Sequence, residues 1–246
     1  MTTPWAASNC SRRTPCVRSR ATGVLGRAFE LLVSGDREVW FITWTSLRFS
    51  LSSAVIACIP GIPLGVLIAL RRFRGRRVLL AVLTSLMALP TVVVGLIVYS
   101  LVSRAGPLGS FGILFTPRAV ILGQAILALP IVVSMTASGL SGLDPLFPEV
   151  LTTLGASRGG VLWMSVRQAR GAVLSASLAS FGRVVGEVGV AMMLGGNIRW
   201  YTRTITTAIA LETSKGEFEQ GIALGIVLIV MALGVNAVLH WMVRHE

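Results

Sequence analysis

The sequence predicts an all-α integral membrane protein with five transmembrane helices preceded by an interfacial helix, and three observations carry that prediction. Hydrophobic residues make up 54% of the 246 and charged residues only 13%, too little polar surface to coat a water-soluble globule of this length. Five apolar runs each approach the roughly 20 residues that a helix needs to cross the hydrocarbon core. Each run is unbroken rather than alternating, which favours helices over the strands of a barrel.

Residues 1–22 are rich in Ser, Thr, Pro and Arg and lack the apolar core of a cleavable signal peptide. They read as a disordered tail that is not removed. One transmembrane domain is expected over 23–246. From Val24 to Trp44 apolar residues recur at helical spacing, which predicts the interfacial helix. A sixth span there is the competing reading, and Asp36, Arg37 and Glu38 oppose it. The spans themselves are expected at about 47–70, 78–102, 119–140, 172–194 and 221–243. Pro60 and Pro63, Pro90, and Pro130 are each expected to interrupt a span, freeing carbonyls and permitting a kink.

The net charge is +12, and of 22 basic residues all but Lys215 are arginines. In a soluble protein such an excess points to nucleic acid. Here the arginines cluster at the ends of apolar runs, where they act as topology signals, so no nucleic-acid partner is expected. Arg71, Arg72, Arg74, Arg76 and Arg77 of "RRFRGRR" place that loop in the cytoplasm. Alternation then puts residues 103–118 and 195–220 outside, residues 141–170 and the carboxyl terminus inside, and the amino terminus outside. Arg12, Arg13, Arg18, Arg20 and Arg27 of the tail pull against that last placement. Cys10, Cys16 and Cys58 form no metal-ligand pattern, His240 and His245 are too few for one, and no nucleophile–base pair appears. Neither a metal, nor a cofactor in this chain, nor an enzyme is expected.

The loop "EVLTTLGASRGGVLWMSVRQAR" (149–170) is too short and too charged to span. Asp144-Pro145 predicts a helix start, Gly155 a left-handed stop, and Ser157 the cap of a second helix through Val161, Leu162 and Trp163. Taken alone, this helix–turn–helix either returns the chain to the membrane or transmits motion, being compact and joined to spans at both ends. "EVLTTLGAS" followed by "VLWMSV" resembles the Glu-Ala-Ala, then Gly four residues on, loop of permease subunits in binding-protein-dependent ABC importers. The match falls on Glu149, Leu154, Gly155, Ala156 and Ser157. Val150 and Leu151 depart from the family's small alanines, and Arg167-Gln168 stands where its Leu-Pro would fall. The resemblance implies a coupling helix, with Arg158 beside it, that docks on an ATPase subunit. It also implies the type I ABC importer permease fold.

The chain has no G-x-x-x-x-G-K-S/T loop with which to bind ATP itself, so energy is expected from a partner. Ion coupling is the alternative, and it needs carboxylates buried in spans. Glu187 is the one deep within a span. It follows Arg183 by four residues, on one helix face. The two form either an ion pair that fixes packing or an anion contact in which Glu187 steadies the Arg183 guanidinium.

After Gly195-Gly196 the chain is dense in donors, among them Asn197, Arg199, Arg203, Thr206 and Thr207. A fully ionised oxyanion offers only acceptors, so these residues are candidates for an anion pathway. A solvated outer loop with threonine caps is the plainer reading. Glu212, Glu217 and Glu219 would repel such an ion and are expected to meet a partner protein. "GEVGVAMMLGGNIRWYTRTITTAIALETSKGEF" resembles the permease subunits of tungstate importers and, more loosely, those of molybdate and sulfate importers. These share the Glu-x-Gly then Gly-Asn-Ile pattern, here Glu187, Gly189, Gly196, Asn197 and Ile198. The likeness runs from about Val24 to the end. It implies a homodimer of permeases in a bacterial or archaeal inner membrane, with cytoplasmic ATP-binding subunits and an extracytoplasmic oxyanion-binding protein. Tungstate is the first expected cargo, with molybdate and sulfate as alternatives. An ion-coupled transporter or channel acting without an ATPase is the alternative from a different class.

Overall fold

The structure is a computed structural model that describes residues 37–71, 73–142, 144 and 146–244. The expectations for residues 1–36 (the tail and most of the interfacial helix) and for Pro145 lie outside the described residues. All regular structure within them is helical: α1 (Arg37–Leu70), α2 (Arg76–Met87), α3 (Thr91–Val102), a 3-10 turn (Gly109–Phe111), α4 (Pro117–Leu140), α5 (Phe147–Thr153), α6 (Arg158–Gln168), α7 (Arg170–Val185), α8 (Gly189–Gly195), α9 (Ile205–Lys215) and α10 (Phe218–Arg244).

α1 has 34 residues, about 50 Å at 1.5 Å per residue and therefore longer than the bilayer core. Of the expected interfacial helix, residues 37–44 are described, and they run into the first span without a break. From Arg37 onward it and the first span are one rod. No Gly or Pro separates Arg37 from Ile59. Thr43 and Ser46 donate back to the carbonyls of Val39 and Ile42, so their hydroxyl protons need no other acceptor. Trp40 and Trp44 stay exposed on the overhang, the aromatic placement favoured at a membrane interface.

Among the described residues, α1, α4 and α10 are long and apolar enough to cross a membrane unaided. The second and fourth expected spans are each two helices: α2 and α3 meet at 96°, α7 and α8 at 63°. The count of five holds when each bent pair is one crossing. Only one of the expected proline interruptions coincides with a break. Pro90 precedes α3 in extended conformation (φ −59°, ψ 123°), whereas α1 continues through Pro60 and Pro63 and α4 through Pro130. Pro60 and Pro63 are exposed while Gly61 and Gly65 are buried against α4, so the tight contact holds the helix along the face opposite the rings.

α4 is the central element. Two i, i+4 rows interlock along its contact with α1: Ser53, Ala57, Gly61 and Gly65 face Gln124, Ala128, Val132 and Thr136. A Cβ on Gly61 would stand 2.8 Å from Val132 Cγ1, and one on Gly65 2.7 Å from Thr136 Cβ. Ser53 Oγ donates to Gln124 Oε1 at 3.0 Å across the fully buried interface. Such a bond contributes about 1 kcal/mol between membrane helices.

The bundle has two distinct ends. At one, Arg76 Nη2 donates to Ser141 Oγ (2.9 Å), and α6 rests Leu162 and Val166 on a cluster of Val66, Leu140 and Ala169. At the other, Phe115 N donates to Leu194 O, Tyr99 packs on Phe115, and the start of α1 meets the segment after α8.

Candidate functional site

The fourth span breaks because Glu187 supplies an alternative to continued helix. Its Oε1 accepts from the backbone N–H groups of Gly189 (2.9 Å) and Val190 (3.4 Å), the free donors at the start of α8. Its Oε2 accepts from Arg183 Nη1 at 2.7 Å, one turn earlier on α7. Thr206 Oγ1 then donates to the Glu187 carbonyl at 2.9 Å. Glu187 is 3% exposed and Arg183 39%, so a buried carboxylate is compensated on both oxygens while its cation reaches out of the core. The break also meets the other one. A Cβ on Gly189 would lie 2.9 Å from Thr91 Oγ1 and 3.1 Å from Val92 N, which places the first turn of α8 against the first turn of α3.

Beyond α8 the chain turns sharply through Gly196 (φ 67°), Asn197 (φ 51°) and Trp200 (φ 62°). Thr202 Oγ1 accepts from Ile198 N and donates to Gly195 O, closing the turn. Thr204 and Thr207 form a reciprocal capping box at the start of α9. Ser46 Oγ of α1 accepts from Ile205 N at 2.7 Å, and Asn197 Nδ2 donates to Thr207 O at 3.3 Å. Thr207 is therefore engaged in local structure, and Thr206 ties α9 to the Glu187 break.

Arg199 and Arg203 meet an acid that the sequence reading did not assign to the site. Arg199 donates from Nε (3.0 Å) and Nη2 (2.5 Å) to the two oxygens of Glu38, and Arg203 Nη1 donates to Oε1 at 3.0 Å. Glu38 stands in the first turn of α1, 161 residues from Arg199, so no local pattern could have found the pair. Arg199 also lies over the Trp200 ring, which packs on Phe41. Of the acids expected to meet a partner protein, Glu212 lies within α9 and is turned inward. Glu212 is 8% exposed and accepts from Lys215 Nζ at 3.0 Å. A three-residue spacing on one helix face makes that pair cheaper than an intermolecular one.

At the opposite end, Asp144 Oδ1 accepts from Leu146 N, but α5 begins only at Phe147, with Pro148 in its first turn, later than Asp144-Pro145 predicts. Gly155 (φ 84°) ends it. Gly155 N donates to Thr152 O and Ala156 N to Leu151 O, the paired bonds of a left-handed helix stop. Ser157 Oγ accepts from Gly160 N and caps α6. Glu149, Ser157 and Arg158 are exposed and Ala156 is half-buried. Leu154 is 78% exposed, Trp163 67% and Val150 52%. The structure thus joins the candidate residues as three groups: Arg183, Glu187 and Thr206 at the break; Arg199 and Arg203 on Glu38; and Glu149 through Arg158 on the projecting turn.

The family model described as "Binding-protein-dependent transport system inner membrane component" matches residues 61–245. The "Probable anion ABC transporter permease protein" of Haloferax volcanii is 41% identical over 80% of this chain and 87% of its own. The "Tungstate uptake system permease protein TupB" of Campylobacter jejuni is 42% identical over 89% of this chain and 91% of its own. Among solved structures, an inward-facing form of the MetNI methionine ABC transporter aligns with a TM-score of 0.66 at 16% identity. That alignment covers 85% of this chain and 94% of the matched one.

Proposed function

Because the chain belongs to the family of binding-protein-dependent transport system inner membrane components, we propose that it is the permease subunit of an ATP-driven importer that carries a tetrahedral oxyanion, tungstate first, into the cytoplasm. The fold is that of the type I ABC importer permeases, and the protein resides in the inner membrane. On this reading the permease domain is 23–246, and the partners are a second copy of the chain, cytoplasmic ATP-binding subunits and an extracytoplasmic oxyanion-binding protein.

The observation that carries the reading is the projecting α5–α6 turn. Two helices of 7 and 11 residues cannot cross a bilayer, yet Val150, Leu154 and Trp163 are held out of the bundle core at the arginine-rich end. Apolar groups displayed in that way mark a docking surface. Glu149, Leu154, Gly155, Ala156, Ser157 and Arg158 then form the coupling element that the ATP-binding subunit grips. Motion enters the membrane through Leu162 and Val166, which seat α6 on α1 and α4. ATP-driven closure of the partners would shift an outward-facing state to an inward-facing one.

A second copy fits the uncovered apolar side of the two half-spans, where Val92, Leu96, Val188 and Met192 are exposed. For Glu187 the structure favours packing over ion coupling, since both carboxylate oxygens already have partners. The test is uptake by proteoliposomes holding permease, ATP-binding subunits and binding protein, with tungstate, molybdate and sulfate in competition. ATP-dependent tungstate uptake is expected. Anion flux through the permease alone, without nucleotide, would establish the ion-coupled or channel reading instead.

A further inference from the structure

We propose that the cleft where α1 gives way to α2 binds an anionic phospholipid, its headgroup phosphate held by Arg74, Arg76 and Arg77 and an acyl chain laid along the open face of α2. The inference goes beyond the transport reading and needs only the placement in the inner membrane. The three arginines line the cleft together with Phe73 and Leu80. Arg74 and Arg77 are exposed, and among the described residues no acid pairs with any of the three.

Topology accounts for arginines at this end of the bundle but not for their convergence on one cleft. Arg76 is only partly open. Its Nη2 is fixed by Ser141 Oγ at 2.9 Å, while its Nε is buried and has no hydrogen-bond partner among the described residues. A buried donor without an acceptor is unfavourable, and phosphate oxygens supply acceptors in the geometry that a guanidinium takes. The start of α2 adds to the same field. No side chain caps it and no acid lies in its first turn, so its free amides leave a partial positive charge beside the arginines.

The apolar neighbours select a lipid over a soluble anion or an acidic protein surface. α2 buries none of its 12 residues within the chain. Val78, Val82 and Leu86 form an i, i+4 row and are 67%, 50% and 41% exposed. The helix is about 18 Å long, close to the depth of one leaflet. It runs from the arginines toward Pro90, after which α3 meets α8 at the paired breaks, so the row lies at membrane depth directly beyond the cations. A phosphate joined to hydrocarbon matches that succession of surfaces. An acidic protein arriving from the aqueous side would meet the arginines and leave the row bare. The exposed residues assigned above to a second copy lie on α3 and α8, separate from this row. Occupancy also reaches the projecting turn, because Ser141 ends α4 just before the chain enters it. Arg76 then holds the phosphate and the end of α4 at once.

The experiment measures equilibrium binding of a fluorescent phosphatidylglycerol to the permease co-purified with its ATP-binding subunits, in neutral detergent with excess phosphatidylcholine. The wild type is compared with Arg74→Gln/Arg77→Gln and with Arg104→Gln/Arg118→Gln, a control pair that is also exposed but lies at the opposite end of the bundle. Saturable binding by the wild type is expected, at least tenfold weaker in Arg74→Gln/Arg77→Gln and unchanged in the control. No saturable binding by the wild type, equal affinity in Arg74→Gln/Arg77→Gln, or an equal loss in the control overturns the site. Displacement by inorganic phosphate as effective as that by unlabelled phosphatidylglycerol would reveal a free-phosphate site and overturn the lipid assignment. So would loss of the ATP-binding subunits from Arg74→Gln/Arg77→Gln with undiminished lipid binding by the permease left behind, which would assign the arginines to a protein contact. Should that variant fail to reach the membrane, Arg76→Lys, which keeps the charge but not the Nε donor, decides. Binding weakened several-fold supports the site, and wild-type affinity overturns it.

Discussion

Arg183 and Glu187 face each other one helical turn apart, Nη1 to Oε2 at 2.7 Å, and the same carboxylate caps the helix that begins two residues later. The ion pair and the break in the fourth span are therefore one device. Glu187→Gln keeps an acceptor for Gly189 N–H but removes the charge that balances Arg183. Because Arg183 is partly open, the expected loss is about 1–3 kcal/mol, below that of a fully enclosed pair. Thermal unfolding of the purified complex measures it. Equal losses in Glu187→Gln and Glu187→Ala, with no coupling to Arg183→Leu in a double-mutant cycle, would contradict the paired cap.

Gly155 lies at φ 84° with open space where a Cβ would project, so backbone conformation alone restricts the position. Gly155→Val is expected to cost about 1–2 kcal/mol. Gly155→Pro cannot reach this φ and also loses the N–H that bonds Thr152 O. The expected outcome for Gly155→Pro is an assembled complex that hydrolyses ATP while uptake falls at least tenfold. Normal ATP-dependent uptake would refute the coupling role.

Leu154 is mostly solvent-exposed and contributes little to the fold of the chain itself. Leu154→Glu is expected to leave the permease as stable as the wild type, within about 0.5 kcal/mol, while the ATP-binding subunit no longer co-purifies with it. Undiminished co-purification would remove this side chain from the docking surface.

Gly65 has no space for a side chain: a Cβ would stand 2.9 Å from Val133 O and 2.7 Å from Thr136 Cβ. Gly65→Val is expected to force α1 from α4 at a cost of about 1–3 kcal/mol. The effect is read as a lowered Tm in detergent. Gly225→Val, with nothing near its Cβ, is the control on α10 and should shift Tm little.

Two kinds of information in this chain have different reach. Apolar runs, arginine clusters and the Gly155 turn were legible because each reflects a free energy that a residue and its near neighbours decide: transfer into lipid, charge at an interface, a left-handed φ. The tertiary structure decided which proline stands at a break, that the first span runs on from Arg37 without a joint, and that Glu187 caps rather than crosses. It alone brought Glu38 to Arg199 and Arg203. A proline or a buried charge has several local solutions of similar cost, and the packed face or counter-ion that selects among them comes from elsewhere in the chain.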